Sequence, residues 1–172
     1  MKAKQFVDKF EMQKHPEGGY FKETYRAEEW VQQAHLPERF TGDRSFCTAI
    51  YFLLEGTQFS AFHRIKSDEL WHFYYGTALH IYVIAPDGKF ELIKLGSDVI
   101  QGEVFQAVVK AGCWFASASA LQMPETDSFS FVGCTVSPGF NFADFELAEP
   151  DRLAELFPEQ SALIKRFCRG LE

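Results

Sequence analysis

Gly56-Thr57-Gln58-Phe59-Ser60-Ala61-Phe62-His63-Arg64-Ile65-Lys66-Ser67-Asp68-Glu69-Leu70-Trp71-His72-Phe73-Tyr74-Tyr75-Gly76 is the stretch on which the fold turns. Gln58–Ile65 and Leu70–Tyr75 are rich in aromatic and aliphatic residues. Lys66-Ser67-Asp68 separates them and glycines bound them, the pattern of strand, turn, strand. Strand alternation puts His63 on one face with Phe59, Ala61 and Ile65, an apolar face expected to look inward. In the second run Glu69 shares a face with Trp71, Phe73 and Tyr75, and His72 turns away.

The same punctuation repeats in both directions. Downstream come Leu79–Ala85, Phe90–Leu95, Gln106–Val109, Trp114–Ala118, Ser128–Val136 and Phe142–Glu146, with Pro86-Asp87-Gly88 as a tight hairpin turn. Upstream, Phe46–Leu54 is almost wholly apolar, as a strand covered on both faces would be. Tyr20–Arg26 alternates, with Phe21, Glu23 and Tyr25 on one face. Roughly ten short strands at regular spacing predict an all-β sandwich or closed barrel spanning about residues 20–147. The 19 Phe, 6 Tyr and 3 Trp agree with strands.

Helical spacing appears only at the ends. Phe6, Val7 and Phe10 predict a helix near residues 3–11, which His15-Pro16-Glu17-Gly18-Gly19 breaks. His15 and Glu17 beside two glycines could close over a pocket, but read more simply as a turn. Pro150-Asp151 opens a helix with Leu153, Leu156 and Phe157, and Leu163, Ile164 and Phe167 form a second stripe after Pro158. These helices, about residues 151–169, are expected on the outside of the barrel. Ala27–Arg44 lacks a period and reads as a long loop. The 172 residues are expected to form one domain.

A net charge of −7, with no run of Lys or Arg, argues against nucleic acid and anionic membrane surfaces as partners. The longest apolar stretch, Ala49–Leu54, is too short to span a bilayer. Residues 1–10 mix charged and apolar side chains and do not read as a signal peptide. Cys47, Cys113, Cys134 and Cys168 are scattered among apolar neighbours and read as free thiols, so the expected compartment is the cytoplasm.

The spacing Gly56, Glu69, Gly76 resembles the first cupin motif, and Val108-Val109-Lys110-Ala111-Gly112-Cys113-Trp114-Phe115 echoes the second. Five stretches resemble the cupin-5 group, a domain of unknown function within the epimerase-like cupins. They are His15-Pro16-Glu17-Gly18-Gly19-Tyr20, Ala49-Ile50-Tyr51-Phe52-Leu53-Leu54, Phe62-His63-Arg64, Asp68-Glu69-Leu70-Trp71 and Ser137-Pro138-Gly139-Phe140. The resemblance implies a cupin jelly roll with a pocket inside it. Metal-binding cupins place histidines where this chain has Phe62, Arg64 and Phe115, and only Glu69 of that four-ligand set is present. No metal and no other cofactor is expected.

His63 admits two readings: a buried, hydrogen-bonded core histidine, or a base. A carboxylate at Glu69 and another on the apolar side of Tyr20–Arg26 favour the base, because buried carboxylates tend to pair. The resemblance extends to dTDP-4-dehydrorhamnose 3,5-epimerases, which use a barrel histidine as base. It implies an isomerase- or epimerase-like enzyme for a small sugar-like or carbonyl substrate. His63 would take a proton, Glu69 or Glu23 would orient it, and Tyr25 would return a proton from the other side. Arg64, Trp71, Phe115 and Asp144 complete the expected substrate contacts. Two alternatives remain, a non-catalytic cupin that holds a small ligand and a metal-dependent cupin enzyme. A homodimer covered partly by the Ala27–Arg44 segment, with Trp30 and Phe40, is expected.

Overall fold

Strand by strand, the chain lays down the punctuation described above. In chain order the early strands are β1 (Gln13–Lys14), β2 (Tyr20–Arg26), β3 (Trp30–Val31), β4 (Arg44–Ser45) and β5 (Thr48–Glu55). The middle of the chain supplies β6 (Phe59–Arg64), β7 (Asp68–Gly76), β8 (Leu79–Ile84) and β9 (Phe90–Leu95). Last come β10 (Gln106–Val109), β11 (Trp114–Ser119), β12 (Phe129–Ser137) and β13 (Glu146–Leu147). The helices are α1 (Ala3–Lys9), α2 (Pro150–Leu156) and α3 (Ser161–Phe167). The structure is a computed structural model and describes residues 1–121 and 128–169. Among the described residues no helix is long and apolar enough to cross a membrane.

Two antiparallel sheets face each other, β1-β2-β5-β12-β7-β10 and β13-β6-β11-β8-β9. Chain neighbours such as β5 and β6 lie in different sheets, which is the crossing pattern of a jelly roll. Between the sheets lie Phe52, Leu54, Trp71, Leu79, Ile81, Leu95, Phe115 and Val132, all at most 1% exposed. Each large side chain buried this way contributes roughly 1.5–3 kcal/mol.

Helices cover the outer faces because alternate strand residues there are apolar as well. Phe6 of α1 and Phe10, which caps it, pack on Tyr51, Phe129 and Phe131. On the opposite side, Leu153, Ile164 and Phe167 cover Phe62, Trp114, Ala116 and Ala118. The near-continuous apolar run of β5 follows from this double cover: Phe52 and Leu54 face inward, and Leu53 faces α1.

Three bulges break the alternation read from sequence. On β6, Ala61 and Phe62 together stand opposite the single residue Ala116, since His63 pairs with Phe115 and Ser60 with Ser117. His63 therefore points inward, but so does Ser60, and Phe59 turns out to meet Phe167. On β7 a register shift near Tyr74 sends Tyr75 outward to stack on Phe6. On β2 a shift between Glu23 and Tyr25 sets Tyr25 opposite Ala49. The neighbours of Ala49, Thr48 and Ile50, line the interior, so Tyr25 lies on the outer face and is 55% exposed.

Two other expectations are corrected. Residues 142–146 do not continue a strand. Asn141 accepts a hydrogen bond from the Ala143 N–H and starts a 3-10 turn at Phe142–Asp144, leaving only Glu146–Leu147 to pair with β6. The Ala27–Arg44 segment, expected as a loop, carries β3 and a 3-10 turn at Gln33–His35: β3 pairs with β4, Arg39 donates to the Lys66 carbonyl at 2.7 Å, and Phe40 is buried beneath Arg39 and Arg44.

Candidate functional site

At one end of the barrel the sheets part around a cavity of about 70 Å³, room for a small molecule or a few waters. Its walls are largely Phe21, Ile50, Ile65, Phe140, Phe142 and Phe145, and its polar groups are His15, Glu17, Thr48, His63, Glu69 and Cys134.

His15 and Glu17 reach the cavity because the turn between β1 and β2 is wedged between the sheets. The turn closes on itself through Gly18 N–H to His15 O (3.0 Å) and His15 N–H to Gly19 O (3.1 Å). The Glu17 carbonyl accepts from the Ala61 N–H at 2.9 Å, which stitches the turn to the β6 bulge. Gly18 and Gly19 have φ of +119° and +73°. A side chain at Gly18 would run into the Phe59 carbonyl. Only glycine allows this approach.

Hydrogen bonds fix the protons. His63 Nδ1 lies 2.7 Å from the Ala61 carbonyl, an acceptor only, so Nδ1 carries a hydrogen. His63 Nε2 faces Glu17 Oε2 at 3.0 Å, and Ser60 donates to Glu17 Oε1 at 2.9 Å. Burial pushes the Glu17 carboxyl up and the His63 imidazole down. The favoured state is thus a neutral imidazole accepting a hydrogen bond from a protonated Glu17. Both ring nitrogens of His63 and both carboxyl oxygens of Glu17 are engaged.

Two groups in the cavity are not consumed in this way. His15 Nδ1 accepts from the Glu17 N–H at 3.3 Å, so the neutral ring carries its proton on Nε2. That N–H has no hydrogen-bond partner among the described residues. Burial lowers the His15 imidazole, partly offset by Glu17. Glu69 projects inward from β7. Burial pushes its carboxyl up to about 7, against the opposing pull of His63 and with a further rise from Glu17. Its hydrogen-bond partner is the Cys134 thiol, two register positions along on β12. A carboxyl that titrates near neutrality can act as base or acid at small cost.

The residues expected from sequence separate into three groups. His63 and Glu69 meet in the cavity, with Phe115 packed on the His63 ring at 4.1 Å. Trp71 lies deeper, edge to face with Phe52 and Phe115, and touches the core instead of the cavity. The others lie outside. Tyr25 faces away. Glu23 sits at the rim and holds Arg26 at 2.7 and 3.0 Å, while Arg26 donates to Phe140 O. Arg64 is on the outer face, over the Trp114 ring and bonded to Glu146 at 2.7 Å. The Asp144 carboxylate is taken up by Arg44 in two bonds of 2.6 Å, both side chains 3% exposed. His15 and Glu17, read more simply as a turn than as a closure over a pocket, were not among the expected site residues. Their signal was the pair of glycines after a titratable pair.

The residues do not fit the four-ligand metal set of cupins. The Phe62 and Arg64 positions project from the outer face, and the Phe115 position holds a phenyl ring. Among the described residues no three His, Cys, Asp or Glu side chains are placed to hold one ion.

The chain is similar to proteins from distant organisms. An uncharacterized protein of Saccharomyces cerevisiae is 31% identical over 166 residues, covering 92% of this chain and 82% of its own length. A crystal structure from Shewanella oneidensis is 38% identical with a TM-score of 0.85, covering 99% of each chain. A hypothetical protein from Leishmania major is 31% identical with a TM-score of 0.89, over 99% of this chain and 100% of its own. The oxalate decarboxylase of Bacillus subtilis shares the fold alone, at 15% identity and a TM-score of 0.53 over 37% of its length. Residues 4–148 match the family described as Cupin superfamily (DUF985), and the chain belongs to that cupin family.

Proposed function

We propose that this cupin is an isomerase- or epimerase-like enzyme that moves a proton beside the carbonyl of a small substrate, without a metal. The observation that supports this reading most is the pairing of a neutral-range carboxyl, Glu69, with a neutral imidazole donor, His15, in one desolvated cavity. The Glu69 carboxylate takes a proton from the carbon next to the carbonyl, and the C–H electron pair moves into the carbonyl to give an enolate. The His15 Nε2–H hydrogen-bonds the oxygen as its charge grows. Glu69 then returns the proton to the same carbon or, in an α-hydroxy carbonyl, to the former carbonyl carbon while the neighbouring hydroxyl passes its proton to the first oxygen, which interchanges carbonyl and carbinol. Because Tyr25 lies outside the cavity and both Glu17 oxygens are held, return by Glu69 itself favours isomerisation over a two-base epimerisation. His63 is a positioning residue, holding Glu17 and through it the turn that carries His15.

Solvent exchange tests the reading before any product is known. The protein is incubated in D2O with a panel of small hydroxyaldehydes, hydroxyketones, amino ketones and keto sugars, and loss of the C–H signal is followed by NMR. We expect exchange on at least one compound, reduced by ~100-fold or more in Glu69→Gln. Compounds that bind without exchanging would sink the proton-transfer reading. They would favour a second one, a ligand-holding cupin, which the mostly apolar lining supports. A homodimer near twice 19.7 kDa is part of the proposal, and light scattering that shows a monomer would remove it.

A further inference from the structure

Three phenyl rings at the cavity stand nearly at right angles to one another. Phe140 and Phe142 meet at 5.0 Å and 80°, Phe140 and Phe145 at 6.3 Å and 72°, and Phe142 and Phe145 at 6.1 Å and 74°. Rings set at such steep angles to one another form a corner that can present faces as well as edges to the space they line. Ring faces carry the negative end of the aromatic quadrupole and attract cations.

The charges point the same way. The lining contains Glu17 and Glu69 and no Lys or Arg. Two guanidiniums at this end are already engaged, Arg44 with Asp144 and Arg26 with Glu23 and the Phe140 carbonyl. Glu69 is 8% exposed and has Cys134 as its hydrogen-bond partner, so it keeps acceptor capacity toward the cavity. His15 offers a second group, an Nε2–H with no partner among the described residues. An anion placed here would face the Glu69 carboxyl and the aromatic rings with no Lys or Arg among the described lining residues, which makes its desolvation costly.

We infer that the ligand of this cavity carries an ammonium group, held by the Phe140–Phe142–Phe145 box with Glu69 as its counter-ion. The substrate class is then a small amine-bearing carbonyl or hydroxyl compound, and sugar acids, phosphates and nucleotide sugars are excluded. The inference rests on the reading of this cavity as the ligand site and adds the charge of the ligand.

The groups facing Glu69 set the pH dependence. They are His15 and Glu17 from the wedged turn, His63 from β6 and Cys134 from β12. Burial lowers the two imidazoles and raises Glu17 and the Cys134 thiol. Glu69, which titrates at about 7, is the group expected to give up its proton when a cation arrives. Cation affinity should rise by about tenfold per pH unit below 7 and level off above it.

Calorimetry and NMR titration with matched probes test this. Ethanolammonium is compared with ethylene glycol and glycolate, and choline with its neutral isostere 3,3-dimethylbutan-1-ol. Each cation should bind at least ~10-fold tighter than its neutral partner, and glycolate weakest of all. About one proton per bound cation should be released at pH 6, read from buffers of different ionisation enthalpy. Phe142, 55% exposed, can be cut back without opening the core. Phe142→Leu should weaken the cations severalfold and leave the neutral alcohols unchanged. Equal or tighter binding of the neutral or anionic probes, no proton release, or no binding of any probe would overturn the inference. A cation preference without C–H exchange of any amino ketone overturns the proton-transfer reading and leaves this one standing. Exchange of neutral hydroxyaldehydes without a cation preference does the reverse.

Discussion

His63 Nε2 and Glu17 Oε2 stand 3.0 Å apart in the dry interior, with the other nitrogen of the ring bound to the Ala61 carbonyl at 2.7 Å. The contact spans two segments far apart in the chain and contains one proton. Burial disfavours the charges that an ion pair would need, so the pair works as a neutral clamp that holds a strained glycine turn inside the barrel. The clamp decides where His15 sits, and so what the cavity offers a ligand.

The clamp is measurable as a coupling. His63→Ala should cost about 2–5 kcal/mol, because it leaves a cavity and two orphaned polar partners. His63→Gln, whose amide can still reach Glu17, should recover much of that loss. In a double-mutant cycle of His63→Leu and Glu17→Met, each of which removes the hydrogen bond, urea melts should give a coupling of about 1–3 kcal/mol. Additive effects would show that the two side chains do not share the proton.

Glu69 should make its own mark on stability against pH. Its folded-state carboxyl titrates at about 7, above the ordinary value of 4.5, so between these limits the folded state binds more protons than the unfolded. Stability from this group is present below pH 4.5 and is lost as pH rises through 7, by up to about 3 kcal/mol. His15 and His63, lowered by burial, act in the opposite sense and weaken the fold as pH falls below 6.5. Glu69→Gln leaves their effect largely in place and removes the carboxyl. The stability of Glu69→Gln relative to wild type should therefore climb steadily from pH 4.5 to 7.5. A difference that stays flat across that range would mean Glu69 is ionised in the folded protein.

The fold was legible because its signals are local. The strands from β5 to β12 and the terminal helices follow apolar periodicity and turn chemistry, and the observed boundaries lie within a few residues of those read from sequence. The inward faces were legible only up to each bulge. Phe59, Tyr25 and Tyr75 were each placed on the wrong side, because one extra residue reverses every later side chain on a strand. The site was half legible. His63 and Glu69 stand on strands whose apolar faces mark them as buried. His15 and Glu17 sit in a turn, and nothing local says that a turn is inserted between sheets instead of lying on the surface. The Arg44–Asp144 pair joins residues 100 apart in sequence, and no periodicity reports such a contact.

The glycines of the wedged turn give the next expectation. Gly18→Ala combines a φ of +119° with a collision against the Phe59 carbonyl and the Arg169 guanidinium. It should cost more than 2 kcal/mol and spoil ligand binding as Glu17 is pushed out. Gly102→Ala is the control, since its φ is +79° but the space around its Cβ is open. It should cost only about 1 kcal/mol, with binding intact. Similar losses in the two variants would show that the turn is not wedged.

The Arg44–Asp144 pair offers the sharpest contrast with a substrate-binding role for Asp144. Two bonds of 2.6 Å join the two side chains, each 3% exposed, and Lys66 lies 3.6 Å from the same carboxylate. Asp144→Asn removes the charge and keeps the shape, stranding a guanidinium that burial already disfavours. That should cost about 3–5 kcal/mol, because breaking one partner of a buried pair leaves the other uncompensated. Replacing both, as Arg44→Met with Asp144→Leu, removes the stranded charge and should restore most of the loss. Binding of the ammonium probes should survive in the double variant, because neither side chain lines the aromatic box. If Asp144→Asn instead keeps its melting temperature and abolishes binding, Asp144 contacts the ligand directly and the pair is not the strut described here.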